Sequence, residues 1–480
     1  MKVLFLEPLT RWIRAYKARF SLAYPLLAAV LRQHGIEVKI LDPHVENMGW
    51  KEIREAVQKE DPDIVAIGCN ATSNAYRAIE TIEFVKEINP KIITIGGGVF
   101  FSLVPEMSLA MCKALDFIVI GEGEYTLLEL VKELGKKRPH LNTVKGIAYR
   151  NGEEIIKTPP RPLIQNLDEL PSPAYDLVPI ERVDSYWLKK PHREGATDYM
   201  MMITSRGCPW NCIFCTQWKH YGRNWRAFSA KRVVDEIEYL NREYAKSVFV
   251  FGDNEFNFDK QRVLDIAHDL RKRGIRIRYS METRIDLLLR DKDILGDLVR
   301  SGLIHISLGM DSTASKEALL DARKGITLEQ IRECGKLLRE EFPEIIAQWF
   351  VVLGNRKDSK ESIQGTVDFL LDEIGPDVAN FFIMTPHPGT DLWDLAEKNG
   401  WIETRDFYKY DETHAIMPTE NLSREEIEKV VFKCYDDFYR SPKLLKKLNS
   451  GYMYKREFVK AVGRKRWDEG GWDMPEFLKS

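Results

Sequence analysis

Three cysteines, Cys208, Cys212 and Cys215, fall within the ten-residue run Arg206-Gly207-Cys208-Pro209-Trp210-Asn211-Cys212-Ile213-Phe214-Cys215. Iron–sulfur clusters are normally held by four thiolates. Three thiolates at C-x3-C-x2-C spacing leave one iron of a [4Fe–4S] cube without a protein ligand, open to a small molecule that can donate to it. Two plainer uses of the same residues stand beside this one. His220 could complete a Cys3His zinc site, or the three cysteines could be structural and bind nothing. Cys69, Cys112, Cys334 and Cys434 are scattered, which fits a reducing, cytoplasmic compartment better than a disulfide framework.

Whatever the cysteines hold must be positioned by the elements around them. Over residues 1–145, short apolar runs (2–6, 37–41, 64–68, 92–96 and 117–120) alternate with amphipathic stretches (24–33, 51–59 and 75–88). That alternation predicts a doubly wound parallel sheet, with ligands at the strand carboxyl ends. Small residues occupy those ends: Gly68-Cys69-Asn70-Ala71-Thr72-Ser73, then Gly96-Gly97-Gly98, then Gly121-Glu122-Gly123-Glu124. Each lets backbone approach something bulky, although a triple glycine alone is also a simple tight turn.

Residues 146–195 are expected to be a linker, because six prolines fall within 158–182. Six strand–helix units follow over 196–395, with strands at 199–204, 247–251, 276–281, 305–309, 345–353 and 380–385. Ser229 and Thr327 are placed to cap helices at 231–244 and 328–340. Six units make an open three-quarter barrel whose chemistry should lie at the strand carboxyl ends. Residues 396–480 read as a helical extension, strongest at 424–439. The tail from Arg464-Lys465-Arg466-Trp467 to Gly470-Gly471-Trp472 could cover an anionic or aromatic substrate or lie in solvent.

The 480-residue length allows two or three domains with ample core. A net charge of −2 gives no electrostatic reason to expect nucleic acid. No apolar run is long enough to span a bilayer, and the N-terminus enters a strand pattern too soon for a signal peptide.

The cysteine run, with Phe214 just before the third cysteine, resembles the signature of the radical S-adenosylmethionine (SAM) superfamily. There the methionine amine and carboxylate of SAM chelate the open iron, and one-electron cleavage of SAM yields a deoxyadenosyl radical. The resemblance implies a SAM site along the barrel rim. Gly252-Asp253-Asn254-Glu255 stands where the superfamily often has G-G-E, so Asp253 or Glu255 would hold the ammonium. Ser280, Glu282, Arg284, Ser307 and Asp311 would serve the ribose, adenine and carboxylate.

The first domain resembles the cobalamin-binding domain that precedes many such barrels. Thr72, Ser73, Gly96, Gly97, Gly98, Gly121, Glu122 and Gly123 would then line the corrin and its nucleotide tail. The D-x-H-x-x-G motif that supplies a cobalt-ligating histidine is absent, and His44 after the second strand reads as a loop histidine. The implied fold is α/β: a doubly wound cobalamin-binding-like domain, a partial (β/α)6 radical SAM barrel and a helical C-terminal extension.

Within the superfamily, Cys215-Thr216-Gln217-Trp218-Lys219, Thr283-Arg284 and the run from Gly302 to Gly309 are similar to the anaerobic magnesium-protoporphyrin monomethyl ester oxidative cyclase group. Thr385-Pro386-His387-Pro388-Gly389-Thr390 follows the generic radical SAM pattern instead. The resemblance implies an enzyme with a [4Fe–4S] cluster, SAM and cobalamin, acting on a large apolar metabolite and reduced by a flavodoxin or ferredoxin. C-methylation with the same parts is the alternative, and a carrier or sensor without turnover is a third.

Overall fold

A computed structural model describes residues 1–9, 21–182, 198–312, 314–452, 454–460 and 462. The basic and aromatic tail beyond 462 lies outside the described residues.

The first sheet contains β1 (Lys2–Leu6), β2 (Glu37–Leu41), β3 (Ile64–Gly68), β4 (Ile93–Gly97), β5 (Phe117–Val119), β6 (Ile147–Asn151) and β7 (Glu154–Lys157), in the order β2-β1-β3-β4-β5-β6-β7. β1 to β5 pair in parallel. The near-continuous apolar runs of β1 and β3 reflect burial on both faces, whereas the edge strand β2 leaves Glu37 and Lys39 exposed. Val3, Phe5, Ala66 and Ile95 pack on one face against the helices Ala23–Gln33 and Gly123–Leu134, while Leu4, Val65 and Ile67 pack on the other against Ala75–Ile88. β6 and β7 form an antiparallel hairpin on the edge, inside the stretch expected to be linker. Its two-residue turn is Gly152-Glu153, with Gly152 at φ +63° in the first turn position, where glycine is favoured.

The second sheet contains β8 (Tyr199–Met202), β11 (Val248–Phe251), β12 (Arg278–Thr283), β13 (Leu303–Gly309), β14 (Ile346–Leu353) and β15 (Val378–Ile383). All run parallel and the sheet stays open, in the order β15-β14-β13-β12-β11-β8. Between β8 and β11, two short strands, β9 (Ser205–Arg206) and β10 (Arg226–Ala227), pair antiparallel and close the base of the cysteine loop. Ser229 caps the helix Ala230–Tyr244 by accepting from Arg232 N, and Thr327 forms a capping box with Gln330 on Leu328–Glu340.

An open barrel leaves the edge of β15 exposed, and the C-terminal helix Arg424–Tyr439 covers it. Tyr435 Oη accepts from Phe381 N at 2.9 Å and donates to Phe381 O at 2.8 Å, and Tyr439 Oη donates to Ala379 O. The extension also reaches back to the first domain. Trp393, Phe407, Tyr410 and Ile416 join the core beneath the first sheet, and Tyr408 Oη donates to Glu80. No helix among the described residues is long and apolar enough to cross a membrane.

Candidate active site

The cysteine loop hangs between β9 and β10 and is fixed by its backbone. Cys208 N donates to Gly222 O, Ile213 N to Ala322 O, Leu392 N to Ile213 O, and Trp218 Nε1 to Cys212 O. Gly207 has φ +84°, and a Cβ there would lie 2.2 Å from Asn224 O, so the loop turns where only glycine fits. The three thiols are unbridged and half-buried. Burial pushes Cys208 up to about 12 and Cys215 up to about 11, so as thiolates they need a cation such as cluster iron.

His220 does not complete a zinc site. It packs edge-on to Tyr221, and burial with the Arg206 cation lowers its pKa to about 4. Among the described residues no three His, Cys, Asp or Glu side chains converge on one metal ion, as tetrahedral zinc at about 2.0–2.3 Å would demand.

The two candidate carboxylates after β11 separate clearly. Asp253 is fully buried and accepts from Thr204 N at 2.8 Å, Thr204 Oγ1 at 3.1 Å and Ser205 Oγ at 2.6 Å. It fastens the end of β8 to β11, so of the two carboxylates the sequence left open, Asp253 has its oxygens engaged within the protein. Glu255 is 5 % exposed and its Oε2 has no hydrogen-bond partner. Burial pushes its carboxyl up to about 8 against the pull of Lys324 and Arg284. An orphaned buried carboxylate beside Cys208 fits the ammonium of SAM.

Arg284 lies over the Trp210 ring at 4.2 Å and donates from Nη2 to Lys324 O and from Nε to Asp286, so much of its capacity is occupied within the protein. Asp311, at φ +53°, pairs with the buried Lys324 at 2.5 Å. Lys324 carried no sequence signal. Ser280 lies beside His305, and Glu282 beside Ser307, in the β12–β13 register.

Two cavities flank the cysteine loop. The first opens at the carboxyl ends of the first sheet, and its lining includes Gly96, Gly97, Gly98, Gly121, Glu122 and Gly123. A Cβ at Gly98, φ +86°, would meet Asn70 Oδ1 at 2.6 Å. His220 reaches its wall with Nδ1 unpartnered, and Glu124 Oε2 there is unpartnered too. A glycine-walled, largely apolar cleft with such orphans fits a bulky ligand carrying polar groups, such as cobalamin.

Glu122 contributes wall but not a free carboxylate. It accepts from Arg206 at 2.9 Å, Arg226 at 2.8 Å and Ile164 N at 2.8 Å, and Arg206 also pairs with Glu124 at 2.5 Å. Burial raises the Glu124 carboxyl, but Arg206 outweighs it and holds the group below its usual range. Glu122 thus lines the cavity as expected of its position while its side chain clamps the two domains together. The nearby His44 likewise sits buried, with Nε2 2.8 Å from Pro8 O, outside the lining of this cavity.

The second cavity lies between the domains. Thr72 and Ser73 line it from the first domain, Phe214 and Cys215 from the cysteine loop, and Asp311, Phe350 and Phe382 from the barrel. The residues predicted for the first domain thus divide between two chambers that meet at Asn70, which lines both.

Residues 20–131 match the B12 binding domain family and residues 202–370 the radical SAM superfamily. Over 464 residues the chain is 32 % identical to an uncharacterized methyltransferase, PH0819, of Pyrococcus horikoshii, covering 95 % of this chain and 97 % of that protein. It is 31 % identical to the anaerobic magnesium-protoporphyrin IX monomethyl ester cyclase of Rubrivivax gelatinosus, covering 87 % of this chain and 73 % of the cyclase. The solved structure of the cobalamin-dependent S-adenosylmethionine radical enzyme OxsB, with aqua-cobalamin and S-adenosylmethionine bound, shares the fold at a TM-score of 0.73 and 18 % identity, covering 98 % of this chain and 75 % of OxsB. The chain belongs to the B12-binding radical SAM enzymes, whose cofactors are a [4Fe–4S] cluster, S-adenosylmethionine and cobalamin.

Proposed function

We propose that this enzyme activates an unactivated C–H bond of a large, largely apolar metabolite, tetrapyrrole- or lipid-like, in the cavity between its domains. The observation that carries this reading is the course of that cavity. It runs from Phe214 and Cys215 beside the cluster loop to Asn70–Ser73 of the first domain, between walls that include Phe100, Phe350 and Phe382. A substrate there would touch both halves of the protein and be shielded from water.

In this reading Cys208, Cys212 and Cys215 hold the cluster and Glu255 accepts from the SAM ammonium. Glu282, Ser280, Ser307 and Asp311 face the nucleoside, and Lys324 and Arg284 balance the SAM carboxylate. The glycine turns at 96–98 and 121–123 receive cobalamin, and Thr72 and Ser73 border it. The bound cofactors supply one-electron cleavage of SAM to a hydrogen-abstracting radical and a cobalt centre able to carry a methyl group. The protein's part is to orient and to exclude solvent. A small acidic electron carrier, a flavodoxin or ferredoxin, would reduce the cluster in the cytoplasm.

Oxidation or cyclisation is one outcome of the substrate radical and C-methylation the other. The match to the Pyrococcus horikoshii protein over 97 % of its length, against 73 % for the cyclase, favours methylation. The test is anaerobic: reconstituted protein, reductant, SAM and hydroxocobalamin, with nucleosides quantified by mass spectrometry. Deoxyadenosine together with cobalamin-dependent S-adenosylhomocysteine supports methylation, and deoxyadenosine alone supports oxidation. No deoxyadenosine from fully loaded protein contradicts both.

A further inference from the structure

The carboxylate and Lys/Arg lining of the interdomain cavity is of one sign. Asp311, Asp411 and Glu412 line it, and no lysine or arginine does among the described residues. Two of these carboxylates are occupied within the protein. Asp311 is paired with Lys324, and Asp411 accepts from His414 N, Thr413 N and Thr413 Oγ1 and lies 2.9 Å from His414 Nδ1. Glu412 has only His387, whose Nε2 lies 3.4 Å away and whose Nδ1 lies 3.1 Å from Thr72 Oγ1. The imidazole thus bridges the first domain and the C-terminal segment and holds Glu412 at the cavity wall, its side chain 47 % exposed.

Glu412 is also held there by its backbone. It has φ +64°, in the left-handed region, and its carbonyl accepts from Ile383 N at 2.7 Å, which ties the segment to the end of β15. A second acceptor stands on the same side of that strand. Asn380 is 4 % exposed with Oδ1 lacking a hydrogen-bond partner, and strand alternation puts it on the face of Phe382, which lines the cavity. Asn380 itself is not part of the cavity lining, so the chamber offers aromatic walls at Phe100, Phe350 and Phe382, neutral polar groups such as Thr72 and Gln217, and one carboxylate with a single weak partner.

We propose that the substrate is an amphiphile whose polar end is a hydrogen-bond donor, cationic or neutral, recognised by Glu412 as oriented by His387. An anionic group such as a free carboxylate would meet uncompensated negative charge there and be selected against. The proposal rests on the cavity being the substrate site, as read above, but not on the reaction performed in it.

The test is equilibrium binding without reductant, on holoprotein loaded with cluster, SAM and cobalamin, using decylamine, decanol and decanoate as probes. Decylamine is expected to bind at least tenfold more tightly than decanoate, with decanol between. Glu412→Gln should remove most of that preference while all three probes still bind. Glu412→Gly should do the same without loss of melting temperature, because glycine suits φ +64°. His387→Gln should weaken the preference and leave decanol affinity within about threefold. Decanoate binding as tightly as decylamine, no binding by any probe, or an undiminished preference in both Glu412 variants would overturn the proposal. Deoxyadenosine formation is untouched by those outcomes, so failure here is distinct from failure of the reaction assignment.

Discussion

Replacing Glu122 by Ala removes the centre of the clamp that joins the first domain to the start of the cysteine loop. Its Oε1 serves Arg206 at 2.9 Å and Arg226 at 2.8 Å, and its Oε2 serves Arg226 at 3.0 Å and Ile164 N at 2.8 Å. The side chains of Glu122, Arg206 and Arg226 are 4 %, 10 % and 5 % exposed, so neither arginine recovers water when the carboxylate goes. Breaking a buried pair by deleting one partner costs about 3–5 kcal/mol. Arg206 keeps Glu124, and Arg226 keeps the Ile164 and Tyr221 carbonyls, which places the loss at about 3 kcal/mol, the lower end. For a large domain each kcal/mol lowers Tm by about 2–4 °C, so calorimetry on the apoprotein should record a fall of roughly 6–12 °C. Glu129→Ala is the control. Glu129 pairs with Arg161 but is 47 % exposed, and such pairs contribute about 1 kcal/mol or less. Equal falls in the two variants, or a fall under about 3 °C in Glu122→Ala, would refute the reasoning that this network carries the domain interface.

Gly207→Ala forces a Cβ to 2.2 Å from Asn224 O at φ +84°, and should lower iron uptake on reconstitution as well as Tm, read by iron assay and calorimetry. Glu255→Gln should raise the Tm of the apoprotein, because it removes a buried carboxylate with an orphaned oxygen, yet weaken SAM binding to the reconstituted protein by about tenfold or more in equilibrium dialysis. His305 is buried against Gln348 at 2.8 Å, and burial lowers its pKa to about 4. A base with a folded pKa below its unfolded value of 6.5 contributes fully above pH 6.5, and the contribution is lost as pH falls toward 4. Urea unfolding of His305→Gln should therefore lack about 2–3 kcal/mol of the wild-type loss across that window, while the similarly lowered His220 keeps its own share in the variant.

Much of this architecture was legible because it is local. Buried parallel strands such as Ile64–Gly68 and Ile346–Leu353 announce themselves as apolar runs, and Ser229 and Thr327 announce helix starts. Strand bounds slipped where polar residues face the barrel lumen. β12 runs two residues past its expected end because Ser280 and Glu282 point inward at the rim, where an apolar pattern gives no guide. The hairpin of β6 and β7 was hidden by the proline-rich stretch beyond it, although Gly152 marked its turn.

Within the site, cysteine spacing and glycine turns carried information, whereas long-range pairings did not. Nothing in the sequence says that Glu122 faces two arginines more than 80 residues away, nor that Asp253 is consumed by Thr204 and Ser205 while Glu255 is left bare. The meeting of Thr72, His387 and Glu412 joins three segments from across the chain, and only the fold brings them together.

The central claim is that three cysteines hold a cluster whose fourth iron is open to SAM. Electron paramagnetic resonance of the reduced, anaerobically reconstituted protein tests it most directly. The account predicts about four irons per chain and a [4Fe–4S]+ signal that shifts when SAM is added, with both cluster and shift absent in Cys212→Ala. Tight zinc in place of iron, or a cluster signal indifferent to SAM, would contradict it.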